Sequence, residues 1–201
     1  MDALCNHMLQ SGVLHSPHIE AAFRAVDRME FVPPESRPAA YYDEPVHIGH
    51  GQTISQPSTV ARMLELLNPQ PRMKILDIGS GSGWTTALLA HIVGPGGSVL
   101  GLERVDELVE FGAANLAAHN MTHAHIRKTG TELGAPQEAP FDRILVSAAA
   151  RSFPETLVSQ LVDNGILVVP VRDAIWKATK VENQPLFEKY EGFVFVPLIT
   201  D

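Results

Sequence analysis

One glycine-rich segment, with an acidic residue at its start and another further along the chain, has the residue types that hold a polar ligand. The segment is Asp77-Ile78-Gly79-Ser80-Gly81-Ser82-Gly83, and the second acid is Glu103. Glycines allow a tight turn and let a ligand approach the backbone, and the start of a following helix favours a negative group. Trp84 stands where the Gly-x-Gly-x-x-Gly pattern of dinucleotide sites needs its third glycine. This difference makes a nicotinamide oxidoreductase a distant alternative.

The two acids favour a cationic ligand that carries a ribose. A carboxylate at Asp77 suits an ammonium or sulfonium group better than it suits a pyrophosphate. In doubly wound folds an acid about 20 residues beyond the glycine loop hydrogen-bonds the ribose hydroxyls, and Glu103 ends the next predicted strand. We therefore expect S-adenosyl-L-methionine as cofactor, with Asp77 toward its methionine end and Glu103 on its ribose. The alternative, a glycine-rich connector with solvated acids, is disfavoured because strand, loop, helix, strand and acid occur in the required order.

The end of the fourth predicted strand, Ser147-Ala148-Ala149-Ala150, indicates what a methyl acceptor would need. Small apolar residues leave room there but supply neither a base nor a clamp for an amine. A carboxylate acceptor needs neither, because its pKa of roughly 3.3–3.9 leaves it ionised at neutral pH. Catalysis can then depend on proximity and orientation. The sequence therefore favours O-methylation of a carboxylate over N-methylation.

Ser55 is the next candidate functional residue. It lies in Gly51-Gln52-Thr53-Ile54-Ser55-Gln56-Pro57, between a long loop and a predicted helix. One interpretation is that Ser55 is the N-cap of that helix. The other is that its hydroxyl and the nearby backbone amides bind a substrate carboxylate at the helix N-terminus. The two interpretations are compatible, and the local sequence does not decide between them.

A fold in which strands and helices alternate must position these segments, and the apolar periodicity predicts one. We expect strands at residues 73–78, 98–102, 123–128, 142–147, 166–171, 174–181 and 193–199. We expect helices beginning at Ser16-Pro17 and at Ser55, and further helices at residues 84–93, 105–119 and 154–162. The predicted fold is α/β, a doubly wound, mostly parallel seven-stranded sheet with extra N-terminal helices. We expect a single domain, with N-terminal helices and a substrate loop at 1–68 and the core at 69–201.

Composition excludes several classes of function. The chain has 201 residues, 45% of them hydrophobic, and a formal net charge of −8, so we expect it to bind neither nucleic acid nor membranes. A single cysteine, Cys5, excludes an internal disulfide and a cysteine-based zinc site and favours a reducing compartment. The nine histidines lack cysteine or carboxylate partners at metal-ligand spacing, so we expect no metal. We predict a soluble cytoplasmic monomer.

With these residues identified, the chain resembles the protein-L-isoaspartate O-methyltransferase family over most of its length. The segment Gly51-Gln52-Thr53-Ile54-Ser55 is specific to that family, whereas the glycine loop is shared by many methyltransferases. Further matching segments are Phe31-Val32-Pro33, Ala40-Tyr41-Tyr42-Asp43, Ala139-Pro140-Phe141-Asp142 and Phe195-Val196-Pro197-Leu198. The resemblance implies a Rossmann-like methyltransferase fold and S-adenosyl-L-methionine as donor. It implies, as acceptor, the α-carboxylate of an isoaspartyl residue in a damaged protein or peptide, whose methylation is the first step of repair.

The resemblance also implies roles for individual residues. It places the active-site serine at Ser55 and the ribose-binding acid at Glu103. The cofactor-binding residues that it implies are Thr53, Ile54, Ser55, Gln56, Asp77, Gly79, Ser80, Gly81, Ser82, Gly83, Glu103, Thr129 and Gly130.

One segment departs from the family's pattern. The family usually has Gly-Asp-Gly after the third strand, with the Asp against the adenine, whereas this chain has Lys128-Thr129-Gly130. A hydroxyl is a weaker acceptor than a carboxylate, and losing a charged hydrogen bond costs about 1–3 kcal/mol, so we expect weaker cofactor binding. Two alternatives stay open. One is a related methyltransferase that acts on another carboxylate, such as that of a modified peptide, and the other is a peptide-binding relative with a degraded cofactor site.

Overall fold

Strands and helices alternate through most of the chain, as the periodicity predicts. The computed structural model describes residues 1–182 and 184–199. Its helices are α1 (Asp2–Gln10), α2 (Pro17–Ala25), α3 (Pro57–Leu67), α4 (Trp84–Val93), α5 (Asp106–Ala118) and α6 (Glu155–Val158). Its strands are β1 (Val46–Gly49), β2 (Gln52–Ile54), β3 (Lys74–Ile78), β4 (Ser98–Glu103), β5 (Ala124–Lys128), β6 (Phe141–Val146), β7 (Leu161–Val171), β8 (Ala174–Val181) and β9 (Gln184–Glu191). Short 3₁₀ helices lie at Arg28–Phe31, Pro34–Ala39 and Pro136–Glu138.

The main sheet has seven strands in the order β5-β4-β3-β6-β7-β8-β9. Strands β5, β4, β3, β6 and β7 are parallel, and β8 and β9 each pair antiparallel with the strand before them. The connections between these last strands are too short for a helical crossover, which is why the pairing becomes antiparallel. The predicted doubly wound, mostly parallel seven-stranded sheet is confirmed. Strands β1 and β2 form a separate hairpin.

Apolar side chains cover both faces of the sheet, because successive residues along a strand point to opposite faces. Ile75 and Leu145 belong to the larger core cluster, to which helices α1 to α5 contribute. Their neighbours Leu76 and Ile144 belong to a second cluster on the other face, which includes residues of α6. Helix α4 is buried on nearly all sides, because the sheet covers one side and α2 packs on another.

The order of the strands reverses between β3 and β6. From β3 the chain continues to β4 and β5 on one side, then returns to β6 and continues to β7 on the other. In such sheets ligands bind beyond the carboxyl ends of the strands at this switch point. The glycine loop follows β3 and Ser147 follows β6, so the topology brings these two segments to the same place.

The prediction of a strand at residues 193–199 is wrong. The last strand is β9, whose side chains are mostly exposed, so it lacks the apolar pattern of a buried strand. Residues 193–199, which we call the C-terminal strap, instead cross the carboxyl edge of the sheet. The backbone N–H of Ala149 donates to the carbonyl of Val196 at 2.8 Å, and the N–H of Leu198 donates to the carbonyl of Ala149 at 2.8 Å.

The predicted helix at residues 154–162 is also too long. Helix α6 ends at Val158 and β7 begins at Leu161, because Leu161 pairs with Phe141 at the start of β6. The division of the chain at residue 68 stays a prediction. Among the residues that the structure describes, no helix is long and apolar enough to cross a bilayer.

Candidate active site

A cleft lies beyond the carboxyl ends of β3 and β6, at the switch point of the sheet. The space between its walls, including its open mouth, is about 780 Å³. Its wall comes from the glycine loop, the β1–β2 hairpin, the ends of β4 and β6, and the C-terminal strap. The predicted site residues that line it are Thr53, Ile54, Ser55, Gly79, Ser80, Gly81, Ser82, Glu103 and Thr129.

The backbone of the glycine loop requires glycine at alternate positions. The φ angle is +82° at Gly79, +52° at Gly81 and +88° at Gly83, in the left-handed region that other residues rarely adopt. Gly83 lies behind the cleft, where an added Cβ would be 3.1 Å from the carbonyl oxygen of Gly112 in α5. Glycine at this position therefore lets α5 pack directly against the loop.

Asp77 lies beneath the glycine loop and does not line the cleft. Its side chain is completely buried, and burial raises its pKa to about 6. The Thr86 hydroxyl donates to Asp77 Oδ2 at 2.7 Å, and the Ser147 hydroxyl donates to Oδ1 at 3.5 Å. Ser147 does line the cleft, so it lies between the Asp77 carboxylate and the ligand space. The sequence predicts that Asp77 faces the methionine end of the cofactor, whereas in the structure the Ser147 hydroxyl separates its carboxylate from the cleft.

Glu103 lies in the wall of the cleft with its carboxylate held by backbone amides. Its Oε2 accepts from the N–H of Gly81 at 2.9 Å. Its Oε1 accepts from the N–H groups of Arg104 at 2.8 Å and Val105 at 3.0 Å. A carboxylate has about four acceptor positions, so Glu103 retains capacity for a hydroxyl of a ligand. The contact with Gly81 also fixes the glycine loop relative to β4.

A second pocket, which we call the side pocket, adjoins the cleft and has a volume of about 690 Å³. The cleft and the side pocket share Thr53, Ser55, Ser147 and Val196. The other residues that line the side pocket are Pro45, Gln56, Thr59, Val194 and Phe195. All of these side chains are uncharged, so the side pocket presents hydroxyl and amide groups within an apolar wall.

The prediction that Ser55 caps a helix is wrong. Helix α3 begins at Pro57, and Gln56 takes the cap position without a side-chain capping hydrogen bond. Asp43, from the preceding loop, satisfies this helix end instead. Its carboxylate accepts from the backbone N–H of Ser58 at 2.8 Å and from the Ser58 hydroxyl at 2.6 Å. Ser55 therefore lies at the junction of the cleft and the side pocket without a capping role.

At its other end the cleft continues into a third pocket of about 1080 Å³, the outer pocket. Thr129 lines both spaces, whereas Gly130 lines only the outer pocket. The backbone N–H of Thr129 donates to the carbonyl of Glu103 at 2.9 Å. Lys128 Nζ donates to Asp106 Oδ2 at 2.7 Å, and its side chain does not line the cleft. The charge of Lys128 is therefore paired with a carboxylate outside the cleft.

Several residues that line the cleft were not predicted as site residues. They are Ile48, Gln52, Ile78, Trp84, Thr85, Arg104, Ser147, Ala148 and the strap residues 196–199. The position of Ser147 immediately after the strand beside β3 is a signal that could have identified it. The strap offers no such signal, because its place in the wall depends on its backbone pairing with Ala149.

The polar groups of this cleft fit S-adenosyl-L-methionine. Ser80 lines the cleft, and its buried hydroxyl has no hydrogen-bond partner among the residues described. Glu103 can accept from ribose hydroxyls, and Asp77 supplies a negative charge behind Ser147. Within residues 1–182 and 184–199 no group of His, Cys, Asp and Glu could hold a metal ion.

A doubly wound sheet, a glycine loop after its central strand and an acid at the end of the next strand are features of the S-adenosylmethionine-dependent methyltransferases. Trp84, in place of the third glycine of a dinucleotide site, separates the chain from the nicotinamide enzymes that share these features. The particular family follows from a comparison of sequences. The model of the family described as Protein-L-isoaspartate(D-aspartate) O-methyltransferase (PCMT) matches residues 1–201. The chain belongs to this family.

Individual relatives agree with this assignment. The chain is 40% identical over 205 residues to a protein-L-isoaspartate O-methyltransferase of Methanopyrus kandleri, with 98% of this chain and 90% of the relative covered. It is 41% identical over 186 residues to that of Methanothrix thermoacetophila, with 92% and 89% covered. A crystal structure of a Plasmodium falciparum protein assigned to the same activity, in complex with S-adenosyl-L-homocysteine, matches with a TM-score of 0.88 at 29% identity. That match covers 99% of this chain and 98% of the other.

Proposed function

We propose that this enzyme transfers the methyl group of S-adenosyl-L-methionine to the α-carboxylate of L-isoaspartyl residues in damaged proteins and peptides, the step that initiates their repair. Membership of the family supports this proposal, as do the relatives that are named for the activity. The observation that carries it is the position of Ser55, which lies where the cleft meets the uncharged side pocket.

The cleft holds the donor, which supplies a methyl group on a positively charged sulfur. Glu103 accepts from the ribose hydroxyls, and the backbone amides that bind its carboxylate keep it in place. The Ser147 hydroxyl donates to Asp77 and Ser147 lines the cleft, so its oxygen would accept from the ammonium group of a bound donor. The negative charge of Asp77 therefore stabilises that ammonium through Ser147.

The side pocket holds the acceptor carboxylate. The Ser55 hydroxyl donates to one carboxylate oxygen and directs the other toward the cleft. No charged side chain lines the side pocket among the described residues, and none is needed, because a carboxylate acceptor is already ionised at neutral pH. The rate enhancement then comes from holding the two reactants in line.

We further propose that the enzyme is a single-domain monomer of the cytoplasm that binds neither nucleic acid nor membranes. The net charge of −8 supports this, because an anionic surface repels nucleic acid and anionic lipid. The single cysteine, Cys5, is buried and free, which supports a reducing compartment.

Two peptides that differ only in having an isoaspartyl or an aspartyl residue test the proposed activity. Each is incubated with the enzyme and S-adenosyl-L-methionine, and methyl addition is read by mass. We expect methylation of the isoaspartyl peptide alone. Methylation of neither, with donor binding intact by calorimetry, would show that the acceptor is a different carboxylate. Absence of donor binding would show that the cofactor site has degraded.

The role of Ser55 is tested by Ser55→Ala. We expect kcat for the isoaspartyl peptide to fall about 10- to 100-fold, because the acceptor carboxylate loses the group that orients it. The Kd of S-adenosyl-L-homocysteine should change less than twofold. Ser159→Ala, which removes an exposed hydroxyl on the carbonyl of Thr156, is the control. Equal turnover of the Ser55 variant and the control would remove Ser55 from the site.

A further inference from the structure

Arg28 has a completely buried guanidinium group that is bound almost entirely by backbone carbonyls. Its Nη1 donates to the carbonyls of Ala40 at 2.6 Å and Tyr42 at 3.4 Å. Its Nη2 donates to the carbonyls of Glu44 at 2.9 Å, Ser55 at 3.1 Å and Ile54 at 3.4 Å. One side chain therefore connects the long loop before β1 to the residues that end the β1–β2 hairpin.

The charge of Arg28 is retained without an anionic partner at contact distance. None of the ion pairs found within residues 1–182 and 184–199 includes Arg28, and its buried Nε has no hydrogen-bond partner among those residues. Burial lowers the pKa of Arg28 to about 10. Burying a charge is costly, and the nearby Asp43 carboxylate offsets only part of that cost. An apolar side chain would avoid the cost but would leave the five backbone carbonyls without this donor. The guanidinium fork therefore serves a purpose that apolar packing cannot.

The carbonyl contacts indicate that purpose. On one side Arg28 holds Ser55, at the junction of the cleft and the side pocket. On the other side its guanidinium carbon lies 5.4 Å from the centre of the Trp84 ring. Trp84 begins α4 immediately after the glycine loop and lines the cleft. Arg28 thus contacts both the segment that binds the acceptor and the start of the helix behind the donor loop.

We propose that Arg28 is a positioning residue that sets the Ser55 hydroxyl relative to the donor cleft. The guanidinium holds the backbone of Ser55 through the Ser55 carbonyl. The position of that backbone determines where the Ser55 hydroxyl lies. The inference rests on the proposed function, since it assigns a role to Ser55 in that reaction. A planar fork that reaches several carbonyls is required, because a lysine ammonium keeps the charge but not this geometry.

The test compares Arg28→Lys with Arg143→Lys. Arg143 is the matched control because it is also buried and donates to backbone carbonyls, those of Leu67 and Asp142 at 2.8 Å each, but it lies outside the cleft. We expect Arg28→Lys to lower kcat for an isoaspartyl peptide at least tenfold with less than twofold change in the Kd of S-adenosyl-L-homocysteine. Arg143→Lys should change kcat less than twofold, even where both variants lower Tm. Equal effects of the two variants on kcat would overturn the proposal.

A double variant separates positioning from a general loss of stability. In the Ser55→Ala background, Arg28→Lys should lower kcat less than twofold further, because the hydroxyl that Arg28 positions is already absent. A tenfold loss in both backgrounds would contradict action through Ser55. If Arg28→Lys unfolds below the assay temperature, Arg28→Gln replaces it in both comparisons, since its amide still donates hydrogen bonds without a buried charge.

Hydrogen exchange distinguishes failure of this inference from failure of the proposed function. We expect the backbone amides of residues 53–56 to exchange faster in Arg28→Lys than in wild type and in Arg143→Lys, with the amides of β3 unchanged. This result does not depend on any methylation. Unchanged exchange at residues 53–56 would overturn the positioning role, whereas a wild-type enzyme that leaves the isoaspartyl peptide unmethylated would overturn only the function.

Discussion

At the scale of single residues, Asp77 carries an electrostatic cost that an asparagine would avoid. Burial raises its pKa from an ordinary value of 3.8 to about 6, which corresponds to roughly 3 kcal/mol. Because the pKa is raised in the folded chain, this cost is absent below about pH 3.8 and complete above about pH 6. The free energy of unfolding therefore falls as pH rises through this window. A carboxylate kept at this cost is expected where a ligand needs its negative charge.

Asp77→Asn should separate stability from donor binding. At pH 7.5 we expect the variant to have a higher Tm than wild type and a Kd for S-adenosyl-L-homocysteine at least tenfold weaker. Wild-type affinity should increase from pH 5 to pH 7 as Asp77 ionises, and the variant should lose most of that increase. Calorimetry and thermal unfolding across the pH range measure both effects, with the exposed Asp2→Asn as control. The same pH dependence in wild type and variant would contradict this account.

Thr129 stands where the resemblance to the family implies an Asp against the adenine. It lines the cleft beside Glu103 and borders the outer pocket, where it offers a hydroxyl in place of a carboxylate. We expect Thr129→Asp to tighten S-adenosyl-L-homocysteine binding about fivefold or more, because a carboxylate accepts more strongly from the adenine amino group. Calorimetry on the two proteins measures the difference. Thr129→Ser, which keeps the hydroxyl, is the control, and unchanged or weaker binding in Thr129→Asp would show that the adenine lies elsewhere.

At the scale of elements, the sequence predicts those whose signals are local. The apolar strand β3 and the glycine loop after it are recognisable from consecutive residues, and so are β4 and its terminal acid, Glu103. Strand β9 is not recognisable, because an exposed edge strand has no buried face to produce an apolar alternation.

The C-terminal strap has the apolar composition of a strand, which is why the sequence predicts one there. In the structure it is held across the edge of the sheet by its backbone hydrogen bonds with Ala149, which the sequence does not reveal. The local sequence likewise favours Ser55 as a helix cap, because the residue that binds the start of α3 is Asp43, which is distant in sequence.

The strap gives a prediction of its own. Ending the chain after Gly192 leaves every strand of the main sheet in place but removes the part of the cleft wall formed by residues 196–199. We expect the Kd of S-adenosyl-L-homocysteine to weaken at least tenfold. Tm should fall by about 4–8 °C, because Phe193 and Phe195 pack against the core and their loss costs about 2 kcal/mol.

Leu186→Ser is the control for this truncation. Leu186 is a largely exposed residue of the edge strand β9, so its replacement should change neither affinity nor Tm appreciably. If the truncated chain binds the probe as tightly as the full chain, the strap does not contribute to the donor site. A truncated chain with a lower Tm but an unchanged Kd for S-adenosyl-L-homocysteine would likewise show that the strap serves stability and not donor binding.

At the scale of the whole molecule, the net charge of −8 opposes the approach of an anionic acceptor. The side pocket does not offset this repulsion, because its described wall residues carry no charge. Recognition inside the side pocket therefore depends on hydroxyl groups and shape. The electrostatic field of the whole protein acts earlier, while the peptide is diffusing toward the enzyme. Residues that flank the isoaspartyl group should then affect kcat/KM through their charge rather than through specific contacts.

Ionic strength tests this division. Three isoaspartyl peptides that differ only in flanking glutamate, lysine or alanine residues are compared at low salt and at about 0.3 M salt, where screening shortens the reach of the field to a few ångströms. We expect kcat/KM for the glutamate peptide to rise about threefold or more with salt and that for the lysine peptide to fall by a similar factor. The alanine peptide should change least. Because screening acts on encounter and not on the bound complex, kcat should stay constant for all three. A salt effect of the same sign on every peptide would mean that salt alters the enzyme itself, and the charge of the molecule would then have no part in selecting substrates.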